Sequence, residues 1–486
     1  MSAADGTGAA SVPGCRPWEL LEMTQHKGLD RRSFLRNTGW TALVAGAAAN
    51  TPLAAAPFEL AETAQAPAGT FDFDTPYNRF GTDSIKYDQP NRTYGKGSVE
   101  VGMGIADMDF RVAPSITKAL QERLQHENWG YLDTPASFAE GIIAWNKKKY
   151  NVAIKPEELI VTMGVHPGLI ATLKAFSPVG SKVLLQTPTY NGFYGDLTAS
   201  RTVSQEVLLK RVNGKFEMDF DAFDAAIGPD TYAFILCNPQ NPTGNCWSES
   251  DLMKIGEICL KRGVLVMADE IHCDFVNKGQ KYTPFANLPD KKIVNNSITY
   301  KAASKSFGLA AHKTAWFHST NPELLAKVRI HHRAEMNTLG IVANQAAYSG
   351  GEEWLRQCVN YIDGNHDFAV DYIKKNLPLV KAYKAEGTYL MWLDMTGLAE
   401  KIDARGRAEK YNREKAANAP ARKPEQMIEE WLVRNAKVHM NSGASYGKGS
   451  DNHMRMNIAT SRKTLEKALS NMASAMGAGT TSMAQG

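Results

Sequence analysis

Residues 232–244 read Tyr-Ala-Phe-Ile-Leu-Cys-Asn-Pro-Gln-Asn-Pro-Thr-Gly. An apolar, β-favouring run ends abruptly in a turn stiffened by Pro239 and Pro242. Such a run predicts a buried strand that delivers Asn241 at its carboxyl end. Four runs of the same kind flank it: LIVTM (159–163), KVLLQTP (182–188), VLVMADE (264–270) and NNSITY (295–300). Helical or turn-rich segments separate them. Short β-rich runs alternating with helices predict an α/β fold with a mainly parallel sheet covered on both faces. Ligands of such sheets sit at the carboxyl ends of the strands. Gly164, Tyr190, Asn241, Asp269 and Lys305 each follow an apolar run.

Lys305 lies in NSITYKAASKSFGLAAHK (296–313), between small hydroxyl residues and just before a turn. Small neighbours let a flat ring approach, and a desolvated lysine gives up its proton more readily. Asp269 ends the preceding buried run, 36 residues earlier. A buried acid, an amide in a braced turn and a lysine can together hold pyridoxal phosphate. The acid keeps the ring nitrogen protonated, the amide bonds the ring hydroxyl and the lysine forms the imine.

The chain has 486 residues, 43% hydrophobic and 22% charged, with a formal charge of +4. That suits two or three globular domains and argues against a nucleic-acid partner. No run approaches the ~18 apolar residues that cross a bilayer, so the body reads as soluble. Cys15, Cys237, Cys246, Cys259, Cys273 and Cys358 show no metal-ligand spacing, and no metal site is expected.

The N-terminus reads differently. Asp30-Arg31-Arg32-Ser33-Phe34-Leu35-Arg36 precedes a mild apolar run, 39–49, and then Pro52-Leu53-Ala54-Ala55-Ala56. Paired arginines before a weakly hydrophobic segment resemble a twin-arginine (Tat) export signal. The expectation is a Tat signal over 1–56, recognition by the Tat export machinery, and a periplasmic or otherwise exported protein. A flexible linker (57–70) and an N-terminal segment packing with the small domain (71–114) follow. Then come a large cofactor-binding domain (115–345), a smaller α/β domain (346–475) and a disordered tail (476–486). The charged stretch 398–427 reads as a solvated insertion, and the chain is expected to fray from Met472.

Further motifs are Asn78-Arg79-Phe80-Gly81-Thr82-Asp83-Ser84-Ile85-Lys86-Tyr87-Asp88, Ile105-Ala106-Asp107-Met108-Asp109-Phe110 and Trp129-Gly130-Tyr131. Asp269-Glu270-Ile271-His272 and Thr283-Pro284-Phe285-Ala286 complete the set. From about Phe71 to Ala475 the chain resembles fold-type-I pyridoxal-phosphate enzymes of the class I/II aminotransferase superfamily. Within it, the resemblance is to the cystathionine β-lyase-like C–S lyases. It implies a large domain with a mainly parallel seven-stranded sheet between helices, plus a smaller α/β domain.

Carried over by position, Lys305 is the Schiff-base lysine and moves the substrate α-proton. Asp269 pairs with the ring nitrogen, Asn241 bonds the phenolic oxygen and Tyr190 stacks on the ring. Backbone amides of Val165 and His166 hold the phosphate, with Ser304 and Lys313 beside it. Tyr131 reaches the phosphate of a partner subunit, implying a homodimer with shared sites. Arg455, in His453-Met454-Arg455-Met456-Asn457, clamps the substrate carboxylate, and Ala106 also lines the substrate site. Asp107 and Asp109 take structural roles.

The chain departs from the pattern at four places, one of them His272, which lies where aminotransferases often have Tyr and is expected to pack beside the ring. Gly104 replaces a usual Trp, an exchange expected to enlarge the pocket. Ala302 lacks a hydroxyl, and Lys313 stands where many aminotransferases have Arg. The expected activity is C–S β-elimination from an L-amino acid. Transamination, including of an amino-acid moiety on an exported metabolite, is the alternative. A non-catalytic regulatory protein on the same fold is a third reading.

Overall fold

A computed structural model describes residues 69–212 and 214–478. They fall within one compact unit, Gln65–Gly486. The expected export signal, nearly all of the linker and the tail beyond 478 lie outside the described residues.

The strands are β1 (Val101–Gly102), β2 (Leu159–Thr162), β3 (Lys182–Thr187), β4 (Val203–Leu208), β5 (Lys210–Val212), β6 (Lys215–Glu217) and β7 (Thr231–Cys237). They continue as β8 (Leu265–Asp269), β9 (Ser297–Lys301), β10 (Ala315–His318), β11 (Leu390–Asp394), β12 (Val438–His439), β13 (Asn441–Ser442) and β14 (His453–Asn457). Seven form the central sheet in the order β2-β10-β9-β8-β7-β3-β4. The expected mainly parallel seven-stranded sheet is therefore present. Only β10 runs antiparallel to its neighbours.

Strand alternation explains why the sheet is buried on both faces. Val183, Leu185, Ala233, Ile235, Leu265 and Met267 join one core, with Leu169 and Leu173 of the helix Val165–Phe176. The intervening Leu184, Phe234, Leu236, Val266 and Ala268 join another, with Leu252, Ile255 and Cys259 of the helix Glu249–Arg262. The polar strand ends then emerge along one edge. Asp269 closes β8, and Asn241, Tyr190 and Lys305 follow β7, β3 and β9 by a few residues.

A second sheet, β11-β14-β13, is antiparallel. Met391, Leu393, Met454 and Met456 point into a core shared with the helices Glu352–Asn376, Pro424–Ala436 and 462–478. The alternate positions Trp392, Arg455 and Asn441 are paired across the three strands and share the other face.

Two expectations are corrected. Residues 398–427 are not a mere solvated insertion: Leu398 and Ala399 of the helix Thr396–Lys401, Ile402 just after it, and Ala404 and Ala408 of the helix Ala404–Glu414 are core residues. The charges occupy the outer faces of these helices. Nor does the chain fray at Met472, because the helix runs on to 478 and buries Met472 and Met476. In both places helical periodicity is carried by a few small or flexible apolar residues, which local composition hides. Among the described residues, no helix is long and apolar enough to cross a membrane.

Candidate active site

Lys305 lies in a single helical turn, Ala303–Ser306, directly after β9. Its Nζ donates to the Ala106 carbonyl at 2.7 Å. Burial, reinforced by the charge of Arg455, brings its pKa down to about 8. Asp269 is buried at the end of β8 and accepts from the Ile271 N–H at 3.2 Å. Burial pushes its carboxyl up to about 7. An amine that gives up its proton far more readily than an ordinary lysine thus shares one site with a buried acid.

Asn241 is buried in the braced turn. Its Oδ1 accepts from Arg455 Nη1 at 3.0 Å, which leaves the Nδ2 donor for another partner. Arg455 is 2% exposed and central in β14. Nη2 donates to the Gly104 carbonyl at 3.2 Å, and the guanidinium lies 5.3 Å from the Tyr446 ring centroid. Its Nε is buried without a partner, an orphaned donor in a site suited to an anion.

The helix Val165–Phe176 begins at Gly164, whose φ of 132° suits glycine, and no side chain caps it. Its first amides, Val165 and His166 among them, are therefore free for an anion. The His166 side chain adds something the sequence reading did not assign. Nδ1 bonds the Asp196 carboxylate at 2.8 Å, and this bond raises the imidazole pKa. The ring tilts against Tyr190 with centroids 5.7 Å apart. Tyr190 is braced edge-on by Phe193 at 5.4 Å. A Cβ on Gly192 would lie within 2.7 Å of both the Tyr190 and His166 rings.

Ser304 is part-buried beside Lys305. Lys313 is exposed, in a left-handed conformation after the turn Ala310–His312, and its charge also lowers the Lys305 pKa. Tyr131 is the one predicted residue not gathered here: it is fully exposed. Ala106 enters through its carbonyl.

Tyr389 escaped the sequence reading. It is fully buried and donates to that same Ala106 carbonyl at 2.9 Å. Asn457 Nδ2 donates to the flanking carbonyls of Ile105 and Asp107, both at 2.6 Å. The motif is tied down further by Arg79, which bridges Asp107 (2.9 Å) and Asp109 (3.1 Å), and by Lys86 on Asp109 (2.8 Å). These carboxylates are therefore engaged in ion pairs. His272 is buried edge-on to Tyr389, and burial holds its pKa well below the usual value. The described cysteines are free thiols.

The expectation of a pocket enlarged at Gly104 is corrected. The side chains of Asn441 and His439 pack over the bare Cα: a Cβ there would lie 2.5 Å from Asn441 Oδ1 and 3.1 Å from His439 Nδ1.

This donor set fits a flat phosphorylated pyridine. There are free helix amides for the phosphate, an aromatic face, an amide donor, a buried acid for a ring nitrogen and an amine for a carbonyl. Comparison with known proteins agrees. Residues 99–472 match the family model for aminotransferase class I and II. Cystathionine beta-lyase PatB of Bacillus subtilis is 32% identical over 415 residues, 83% of this chain and 100% of that protein. The PLP-bound C-S lyase from Staphylococcus hominis superposes with a TM-score of 0.72 at 29% identity, covering 84% of this chain and 99% of its own. Cystalysin from Treponema denticola, which contains pyridoxal 5'-phosphate, gives 0.74 at 26% identity, with 84% and 99% covered.

Proposed function

This chain belongs to the aminotransferase class I and II family, and from that premise we propose that it is an exported C–S β-lyase acting on cystathionine or a related cysteine S-conjugate. It is a pyridoxal-phosphate-dependent enzyme of the lyase and aminotransferase group. The observation that carries the lyase reading is a match along the whole of a cystathionine β-lyase. Lys305, Asp269, Asn241 and Arg455 converge in the matched region.

Bound pyridoxal phosphate supplies an electron sink for the negative charge left at the substrate Cα. The residues do the rest. Arg455 holds the α-carboxylate through charge-assisted bonds, for which its orphaned Nε is an open donor. Lys305 Nζ, with its pKa near 8, removes the α-proton at moderate pH. Asp269, buried at the end of β8, would pair with the ring nitrogen and keep it protonated. Asn241 Nδ2 would bond the ring oxygen, and the amides of Val165 and His166 would hold the phosphate. Scission of the Cβ–S bond then releases a thiol, and water hydrolyses the remaining three-carbon enamine to pyruvate and ammonia.

Transamination is the second reading. It uses the same residues, since both reactions begin with removal of the α-proton by Lys305. Two further parts of the proposal rest on other observations. Export rests on Arg31-Arg32-Ser33-Phe34-Leu35 and the small residues before Pro57. A homodimer with shared sites rests on Tyr131, fully exposed together with half-exposed Trp129 and the neighbouring Leu132.

The test supplies the purified enzyme with cystathionine alone, then with amino acid and keto acid pairs, and identifies the products. The lyase reading expects pyruvate and free thiol without any keto acid. Product formation only when a keto acid is present would replace it with the aminotransferase reading.

A further inference from the structure

Gly104 is the most unusual residue of the site, and its surroundings explain it. Its carbonyl accepts from Arg455 Nη2 at 3.2 Å, so its backbone sets one end of the guanidinium. Asn441 is paired with Arg455 across the small sheet. It is oriented by a hydrogen bond from Nδ2 to Tyr446 Oη at 3.1 Å. Tyr446, fully buried, also lies against the Arg455 guanidinium. The Asn441 Oδ1 is thereby turned onto the Gly104 Cα, at the place a side chain would occupy.

His439 closes the same space from β12. Its Nε2 lies 3.2 Å from Glu429 Oε1, and the same oxygen accepts from Tyr94 Oη at 2.9 Å. A carboxylate oxygen only accepts, so Nε2 carries a proton and donates to Glu429. The other ring nitrogen, Nδ1, is buried without a partner, beside Gly104. A buried ring nitrogen without a partner is unfavourable, so the arrangement is retained at a cost.

We propose that Gly104, Asn441 and His439 form one positioning set for Arg455, in which the missing side chain at 104 lets the other two close against the Gly104 Cα. The set is matched: a side chain at 104 collides with Asn441, and the backbone shift that relieves the collision pulls the Gly104 carbonyl from the guanidinium. Asn441 and His439 thus fill the place a side chain at 104 would take, and they hold the carboxylate end of the site narrow. This inference rests on the reading of Arg455 as the carboxylate clamp.

The test uses two probes on the cofactor-loaded protein, each followed by the absorbance change on binding. 2-Aminoisobutyrate carries an α-carboxylate and has no α-proton to lose. Isopropylamine has the same frame without the carboxylate. Gly104→Ala should weaken 2-aminoisobutyrate by about tenfold, the scale of one hydrogen bond to a charged group. Isopropylamine affinity and cofactor content should stay within about twofold, because neither uses that bond. Adding Asn441→Ala to Gly104→Ala should restore most of the lost affinity, since the colliding oxygen is removed.

Unchanged affinity in Gly104→Ala, equal loss for both probes, or no rescue in the double variant would each overturn the proposal. Wild-type protein that binds both probes equally would instead overturn the carboxylate clamp, and the proposal with it.

Discussion

Arg455 Nη1 donates to Asn241 Oδ1 at 3.0 Å. The residue placed for the substrate carboxylate therefore shares a hydrogen bond with the residue placed for the cofactor's ring oxygen. The two lie 214 residues apart in sequence. Any shift of the guanidinium on substrate binding acts on the amide that faces the ring, so the two ends of the site are linked through one bond.

Truncation of Arg455 exposes this link. Arg455→Ala should weaken binding of an unreactive amino acid by roughly 2–5 kcal/mol, because a carboxylate is left unpaired in a buried site. Arg455→Lys should recover only part, since an ammonium cannot reproduce the planar fork. Spectral titration of the loaded protein measures both. Equal affinity in all three proteins would place the carboxylate elsewhere.

Lys305→Ala should lower turnover by at least ~10²-fold through loss of the α-proton base. The amine itself can be titrated in cofactor-free protein, by the pH dependence of its acylation with a limiting reagent. Half-maximal reactivity is expected near pH 8, where burial places the Lys305 pKa, and reactivity should rise with pH. A midpoint near 10.5, the ordinary lysine value, would show the amine to be solvated.

Asp269 gives a stability prediction with a definite sign. Its folded-state pKa is raised from 3.8 to about 7. The folded state then holds a proton that the unfolded state has lost, so this contribution to stability is present at low pH and disappears as pH rises from about 4 through 7. Asp269→Asn cannot titrate. Denaturant unfolding of cofactor-free protein at pH 5 and pH 8 should show a smaller loss of stability in the variant. The same loss in both proteins would mean that the carboxylate is ionised throughout.

Tyr389→Phe removes one of the two donors on the Ala106 carbonyl and leaves the ring packing intact. Turnover should fall about fivefold, the scale of one neutral hydrogen bond, with cofactor content unchanged. Loss of cofactor, or unaltered turnover, would show that Tyr389 does not position the lysine.

Replacing Arg31 and Arg32 by Lys should strand the precursor in the cytoplasm, read by fractionation and N-terminal sequencing. A mature form beginning near Pro57 that still reached the exported fraction would remove the twin-arginine reading and leave the chemistry untouched.

Much of the fold was legible because its signals are short-range. A strand announces itself through a few consecutive apolar residues, and a turn through Pro239, Pro242 and Gly244. Both survive without knowledge of neighbours. The stretches misread, 398–427 and the end of the chain, bury only a sparse stripe such as Leu398, Ile402 and Ala408 under a charged surface. There the composition of the whole window outweighed the few positions that face the core.

The α/β alternation and the strand ends that carry Asn241, Asp269 and Lys305 are written in local pattern. They need only that pattern and the rule that ligands meet parallel sheets at their carboxyl edges. Which distant groups meet there is a matter of packing. Tyr389 and Lys305 share a carbonyl 283 and 199 residues away from them, and Arg455 reaches Gly104 across 351 residues. Whether a missing side chain at 104 leaves a void or admits Asn441 and His439 depends on how the small sheet packs against the N-terminal segment. Such contacts are set by burial and by hydrogen bonds between elements far apart in the chain, which no local window of residues contains.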